Sequence, residues 1–220
     1  MAVSGGFCQT DGIAPNTKKP CLHKTGGTVM NNKMIIVGGY CATGKSTFSR
    51  KLSGMFNIPC FNKDVIKEVL GDGFGPENNM VKKKGSAVTF LLMLHIAERF
   101  LQTGKLCILE SNFKLKEMEQ LKILLEKYNC KCLTFIFKGD FDILFDRYMK
   151  RDAAEKRHWV HDTFGENPDN FRDGHLQAGT GETGIGQTIT VDATSFDKVN
   201  YDELFAIVKD FIVKDIKSNE

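Results

Sequence analysis

The sequence predicts an α/β fold of three layers, with a five-stranded parallel sheet held between helices. Three observations point to it. Short β-rich runs alternate with segments of helical period from Lys33 onward. Strands separated by helices pair in parallel, because each helix carries the chain back across the sheet. One run, Leu106-Cys-Ile-Leu109, is apolar without interruption, as a strand covered on both faces must be. Finally, 220 residues that are 41% hydrophobic and 26% charged suffice for one sizeable core and give no reason to count two.

The elements follow in order. Met34-Ile-Ile-Val37 is the first strand, ended by Gly38-Gly39. From Lys45 to Met55, the side chains Phe48, Leu52 and Met55 recur at helical spacing. Ile58-Pro-Cys-Phe61 is a second strand, and Val65 to Leu70 a short helix stopped by Gly71-Asp72-Gly73. Ser86 to Gln102 is a strongly apolar helix closed by Gly104, and the third strand follows at 106–109. Leu115, Met118, Leu121, Leu125 and Tyr128 line one face of the next helix, whose lysines and glutamates form a solvated face. Cys132 to Phe137 is the fourth strand, and a helix runs from about Asp140 to Lys150. After a charged segment, Ile189-Thr-Val191 is the fifth strand and Tyr201 to Ile216 a final amphipathic helix. Residues 33–220 read as a single domain.

Composition narrows the function classes. A net charge of +3 is small for this length and argues against nucleic acid as the main partner. The longest apolar run, Phe90-Leu-Leu-Met-Leu94, is too short to span a bilayer, so no membrane role is expected. Seven cysteines lack CxxC or Cys/His ligand spacing; that argues against structural zinc and fits a reducing cytoplasm. Residues 1–32 are rich in Gly, Thr, Asn and Lys and lack an apolar stretch. They read as a disordered leader rather than a signal peptide, with Met30 and Met34 as alternative starts.

The sharpest local signal is at 39–46. These residues read Gly-Tyr-Cys-Ala-Thr-Gly-Lys-Ser, the Walker A pattern, between a strand and a helix as that pattern requires. A shuffled chain of this composition would match it roughly 3% of the time or less. Glycines let the backbone wrap an oxyanion so that successive N–H groups point at it, and the following helix adds its N-terminal partial charge. Gly39, Tyr40, Cys41, Ala42, Thr43, Gly44, Lys45, Ser46 and Thr47 are therefore the expected ATP-binding stretch. Lys45 is expected to reach the outer phosphates and Ser46 to ligate Mg²⁺. A second cluster, Gly179-Thr-Gly181-Glu-Thr-Gly184, fits a dinucleotide fingerprint only literally. It neither follows a strand nor opens a helix, and reads as a flexible connector.

Three places could complete a phosphoryl-transfer site. Asp64 falls after the second strand, where it could take the proton of an acceptor hydroxyl or merely cap the helix at Val65. Glu110 ends the third strand, where it could ligate Mg²⁺; the alternative is a strand-end residue already in solvent. Arg147, Arg151 and Arg157 lie between strands four and five with His158 and His161. Arg147 and Arg151 share a helix face, which suits an anion between them. Ion pairing with Asp146, Asp152 and Glu155 is the plainer alternative. The two histidines have no visible further ligands for a metal.

Met34–Ser46, Asn62-Lys-Asp64-Val-Ile-Lys67 and Leu109-Glu-Ser-Asn-Phe113 together resemble the small P-loop kinases of the zeta-toxin and chloramphenicol-phosphotransferase type, the AAA_33 group. Lys156-Arg-His158-Trp-Val-His161 is similar to an Arg-His-Pro-x-His run common among them. The resemblance implies a nucleoside-monophosphate-kinase-like P-loop NTPase core with strand order 2-3-1-4-5. It further implies Asp64 as the acceptor-activating carboxylate, and Arg147 and Arg151 as phosphate-facing residues of a lid at about 147–186. Glu110 stands where aspartate is common, and Trp159 where proline is.

The expected activity is transfer of the γ-phosphate of ATP to a hydroxyl of a small molecule, with Lys45, Asp64, Arg147 and Arg151 as the catalytic set and Ser46 and Glu110 on Mg²⁺. A nucleotide-responsive regulatory ATPase, and a toxin-like or polynucleotide kinase, are the alternatives. The helices at 65–70 and 86–102 are the expected walls of the acceptor pocket, with Phe74, Met80, Phe90 and Met93 as candidate linings; plain core is the alternative, and the commoner fate of such helical stripes.

Overall fold

The computed structural model describes residues 32–154, 157–161 and 164–213. Five parallel strands form one sheet: β1 (Lys33–Gly39), β2 (Cys60–Asn62), β3 (Cys107–Glu110), β4 (Lys131–Lys138) and β5 (Gln187–Asp192). Their order is β2-β3-β1-β4-β5, as expected. Around them pack α1 (Lys45–Phe56), α2 (Lys63–Phe74), α3 (Asn79–Gln102), α4 (Leu115–Lys127), α5 (Phe141–Ala154), α6 (Pro168–Gln177) and α7 (Tyr201–Val213).

The period of the strand sorts β1 into two cores. Met34 and Ile36 face a cluster with Met93, Ala97 and Leu101 of α3 and Leu121 and Leu125 of α4. Ile35 and Val37 face the other side, with Phe48 and Leu52 of α1 and Leu204 and Val208 of α7. Alternate side chains of a strand point to opposite faces, so an unbroken apolar run requires both faces covered. A third cluster, Tyr40, Leu144, Tyr148 and Phe171, joins α5 and α6 to the end of β1. Cys107 and Cys132 are fully inside the sheet, and burial pushes both thiols up, as small hydrophobes would show.

Some elements differ from the sequence reading. The long helix begins at Asn79 rather than Ser86, because Asn78 accepts the Met80 N–H and caps it. Residues 168–177, read as part of a loop, form α6, with Asn167 as its cap and Pro168 at its first turn. The Gly179–Gly184 stretch is not a loose connector at its start: Gly179, Thr180 and Gly181 are buried, and a Cβ on Gly181 would lie 3.5 Å from the Gly39 Cα. Of the expected leader, residues 1–31 lie outside the described residues, as do Glu155 and Lys156. Asn32 is buried and its carbonyl accepts the Lys131 N–H. Among the described residues, no helix is long and apolar enough to cross a membrane.

Candidate active site

The site forms where the strands end. The chain leaves β1 toward the β3 and β2 side and leaves β4 toward β5, and these opposite crossovers from neighbouring strands open a crevice beyond their carboxyl ends. Gly39 closes β1 with φ 120°, and a Cβ there would sit 2.0 Å from the Phe137 carbonyl oxygen; no other residue fits. Gly44, at φ 80°, is the N-cap of α1. That helix has neither a side-chain cap nor an acid in its first turn. Its N-terminal N–H groups and partial positive charge are left for an anion from elsewhere.

Lys45 is buried, and its ammonium donates to the Tyr40 carbonyl and, at 3.4 Å, to Thr43 Oγ1. Burial holds its pKa below the ordinary lysine value, against the opposing pull of Cys41, Glu110 and Asp64. Ser46 and Thr47 are exposed on the first turn of α1. One loop group is tied down from α6: the Cys41 N–H donates to His175 Nε2 at 2.9 Å. His175 is buried, and its Nδ1 lies 2.7 Å from the Phe171 carbonyl. That oxygen accepts only, so Nδ1 carries the proton and Nε2 the lone pair. Burial holds this imidazole's pKa down.

Glu110 pairs in register with Val37 on one side and Asn62 on the other, and is 4% exposed. The solvent-exposed alternative is therefore excluded. Burial pushes its carboxyl up to about 7, with Lys45 opposing and the Asp64 charge adding to the rise. Asn62 Nδ2 donates to its Oε2, and the Ser46 hydroxyl beside it also opposes the rise. Asn62 Oδ1 accepts the Val65 N–H at 2.9 Å and so caps α2. The cap that Asp64 could have supplied is thus already made by Asn62, and Asp64 is exposed.

Ser46 and Glu110 present oxygen donors side by side. Mg²⁺ takes one or two carboxylates and completes its shell with water and phosphate oxygens, so this pair fits it. Among the described residues, no group of three or more His, Cys, Asp and Glu side chains could hold a metal by itself.

The two arginines expected to face one anion part company. Arg151 approaches the loop, its guanidinium 3.7 Å from Cys41 Sγ. Arg147 instead donates to the carbonyls of Ala193 and Thr194, both at 2.6 Å, and stacks on Phe196 at 3.9 Å. The Phe196 ring stands beside the loop, 3.2 Å from where a Gly44 Cβ would be. Arg157 pairs with Asp152 at 3.4 Å. His158 and His161 meet Asp72 and Glu68 on α2, at 2.9 and 2.7 Å.

A cavity of about 310 Å³ joins these parts, lined by Cys41, Asp64, Lys67, Ser111, Arg157 and His175 among others. The helices expected to wall the acceptor pocket do so, through Lys67 of α2 and Ser86 of α3, but the four apolar side chains named for it do not. Phe90 and Met93 are core, while Phe74 and Met80 border a separate apolar hollow with Leu70 and Val88. Sequence reasoning missed Asn62, His175, Phe196 and Lys67. Only Asn62 carried a usable signal, a capping residue three before Val65.

Neither a protein-family profile nor a curated protein sequence matches the chain significantly. Solved structures do. A candidate kinase from Chloroflexus aurantiacus superposes with a TM-score of 0.70 at 25% identity, covering 85% of this chain and 99% of that one. A gluconokinase from Sinorhizobium meliloti gives 0.54 at 13% identity, over 86% and 99% of the two chains. A shikimate kinase from Bacteroides thetaiotaomicron gives 0.50 at 17%, over 82% and 98%. The chain shares its fold with these kinases, with five parallel strands in the order β2-β3-β1-β4-β5. The similarity to the last two extends to the fold alone.

Proposed function

We propose that this chain is an ATP-dependent kinase that transfers the γ-phosphate to a hydroxyl of a small molecule. The observation that carries the reading is the shared cavity: Cys41 of the glycine loop and the Asp64 carboxylate, released from capping by Asn62, open onto one space. Donor and acceptor chemistry meet there.

In this reading the loop N–H groups and the α1 N-terminus hold the β and γ phosphates, and Lys45 turns its ammonium from the Tyr40 carbonyl to their oxygens. Arg147 stacked on Phe196 offers a flat surface beside Gly44 on which a purine can lie. Mg²⁺ on Ser46 and Glu110 would supply charge against the phosphate oxygens. Asp64 accepts a hydrogen bond from the acceptor hydroxyl. The hydroxyl oxygen bonds to the γ-phosphorus as the bond to the β,γ-bridging oxygen breaks. The electron pair leaves on ADP, and the hydroxyl proton passes to Asp64 and on to water. Arg151 lies near enough to Cys41 to meet the charge that develops on the γ-phosphoryl oxygens. The segment 147–186 is the lid of this reading. Excluding water from the cavity would suppress hydrolysis.

Asp64→Ala separates the roles. Transfer should fall about 10²–10⁴-fold, the usual worth of a positioned base. Affinity for ATP, measured by calorimetry, should stay within a few fold. Equal loss of both would mean that Asp64 serves the nucleotide or the fold instead.

A further inference from the structure

We propose that His175 is a positioning residue for the glycine loop, able to hold it only as a neutral imidazole, so that nucleotide binding weakens in acid through this side chain. The inference rests on the kinase reading for what the loop binds; the hold itself rests on hydrogen bonds and packing.

The loop is strained and has to be held. Ala42, next to Cys41, has φ 58°, in the left-handed region that strains any residue with a Cβ. Two ties act from within the loop: Thr43 Oγ1 and the Lys45 ammonium both donate to the Tyr40 carbonyl. The second is given up when Lys45 turns to the phosphates. A third tie comes from outside, where the Cys41 N–H donates to His175 Nε2 at 2.9 Å. It does not depend on Lys45, so it can last through binding. The imidazole is itself clamped. Its Nδ1 donates to the Phe171 carbonyl, one turn back on α6, at 2.7 Å. The Phe164 ring stacks on it at 5.1 Å, and a Cβ at Gly174 would stand 2.6 Å from that ring. A glycine inside a helix is unfavourable, and here it admits the ring that fixes the imidazole. Phe171 and Tyr40 close two further sides, at 4.7 and 5.3 Å between ring centres.

Protonation would undo the hold. Nδ1 already carries its proton, so a second can go only to Nε2, where it would meet the Cys41 N–H donor to donor. The surroundings keep that proton off at neutral pH. Burial holds the pKa below the ordinary 6.5; the Phe171 carbonyl opposes, and the Lys45 charge adds to the fall. From α5, the Arg151 guanidinium comes within 3.7 Å of Cys41 Sγ. The Tyr40 phenol is neutral, its pKa raised by burial. The cavity wall that His175 shares carries Lys63, Lys67, Lys114, Arg157 and His161 against one carboxylate, Asp64. An imidazolium would thus join a largely basic array. The hold is therefore complete above about pH 6.5 and is lost as pH falls through the lower folded value.

The test is the pH profile of nucleotide affinity. A non-hydrolysable ATP analogue with Mg²⁺ is titrated by calorimetry into the full chain from pH 8 to pH 5. His175→Gln keeps an acceptor oxygen in reach of the Cys41 N–H and does not titrate; His175→Leu fills the space without an acceptor. At pH 8, His175→Gln should bind within a few fold of wild type and His175→Leu about tenfold more weakly, the worth of one hydrogen bond. Between pH 8 and pH 5 the wild type should lose about tenfold against His175→Gln. Titration of the ligand and of Glu110 acts on both chains alike and cancels in that ratio. Parallel profiles overturn the inference, as does an equal loss of affinity in both variants at pH 8. A wild type that gains on His175→Gln in acid overturns it too, since an imidazolium would then be serving the phosphates. Where a variant does not fold, NMR of the ligand-free wild type decides. The Cys41 amide should shift with the same midpoint as the His175 ring, and a Cys41 amide indifferent to that titration overturns the hold. Binding with the expected profile but no transfer to any alcohol sinks the kinase reading and leaves the role of His175 standing. Parallel profiles with transfer intact do the reverse, and absence of nucleotide binding at every pH sinks both.

Discussion

Glu110 sits at the end of an apolar strand, buried, and its proton is held to about 7. A carboxyl whose folded pKa exceeds its unfolded value near 4.5 binds more protons when folded. Its contribution is therefore fully present below about pH 4.5 and is lost as pH rises through about 7. A shift of this size amounts to about 3 kcal/mol at alkaline pH. Glu110→Gln, unable to ionise, should lack that loss. In urea melts of the ligand-free chain, the variant should gain on the wild type by up to about 3 kcal/mol between pH 5 and pH 8. Parallel pH profiles would contradict the burial of an ionisable Glu110. At this scale the sequence told much. The places of Lys45 and Ser46 at the start of α1, of Asp64 in the first turn of α2 and of Glu110 at the end of β3 could be read from local pattern. The split between Arg147 and Arg151 could not, because the carbonyls of Ala193 and Thr194 that claim Arg147 come from β5 and the turn after it.

Elements with a strong period were legible, and the one without it was not. α6, Pro-Asp-Asn-Phe-Arg-Asp-Gly-His-Leu-Gln, buries only Phe171 and His175. Two buried side chains in ten residues leave too faint a stripe to distinguish from loop. Yet this short helix carries His175 to the Cys41 N–H, and Phe171 is what holds it there. The Phe171 ring is fully buried among Phe145, Tyr148, Phe164 and His175. Phe171→Ala should cost about 3–5 kcal/mol in a denaturant melt. Because the His175 contact goes with it, nucleotide affinity should fall as well. A loss of stability with unchanged nucleotide affinity would show that α6 does not organise the loop. The early start of α3 was hidden for a related reason. Lys82, Lys83 and Lys84 look like loop, but they are the exposed side of a helix whose buried side is Val81 and Gly85.

For the whole molecule, alternation of strands and helices was enough to give parallel pairing and three layers, since few packings cover both faces of such a sheet. What alternation does not give is the cavity. Its walls come from the glycine loop, α2, α3, the turn after β3, the 157–161 segment and α6, far apart in sequence and joined only by the fold. Hence local pattern could propose a phosphate donor, through the loop at 39–46, and could not propose a receiver. The central claim is that ATP and a hydroxyl meet in this cavity, and ³¹P NMR of the full chain with Mg²⁺, ATP and a panel of small alcohols, neutral and charged, tests it most directly. The account predicts a new phosphomonoester signal that grows at the rate of ADP formation with one acceptor and is lost in Asp64→Ala. Inorganic phosphate as the only product, at a rate indifferent to every alcohol added, would contradict it.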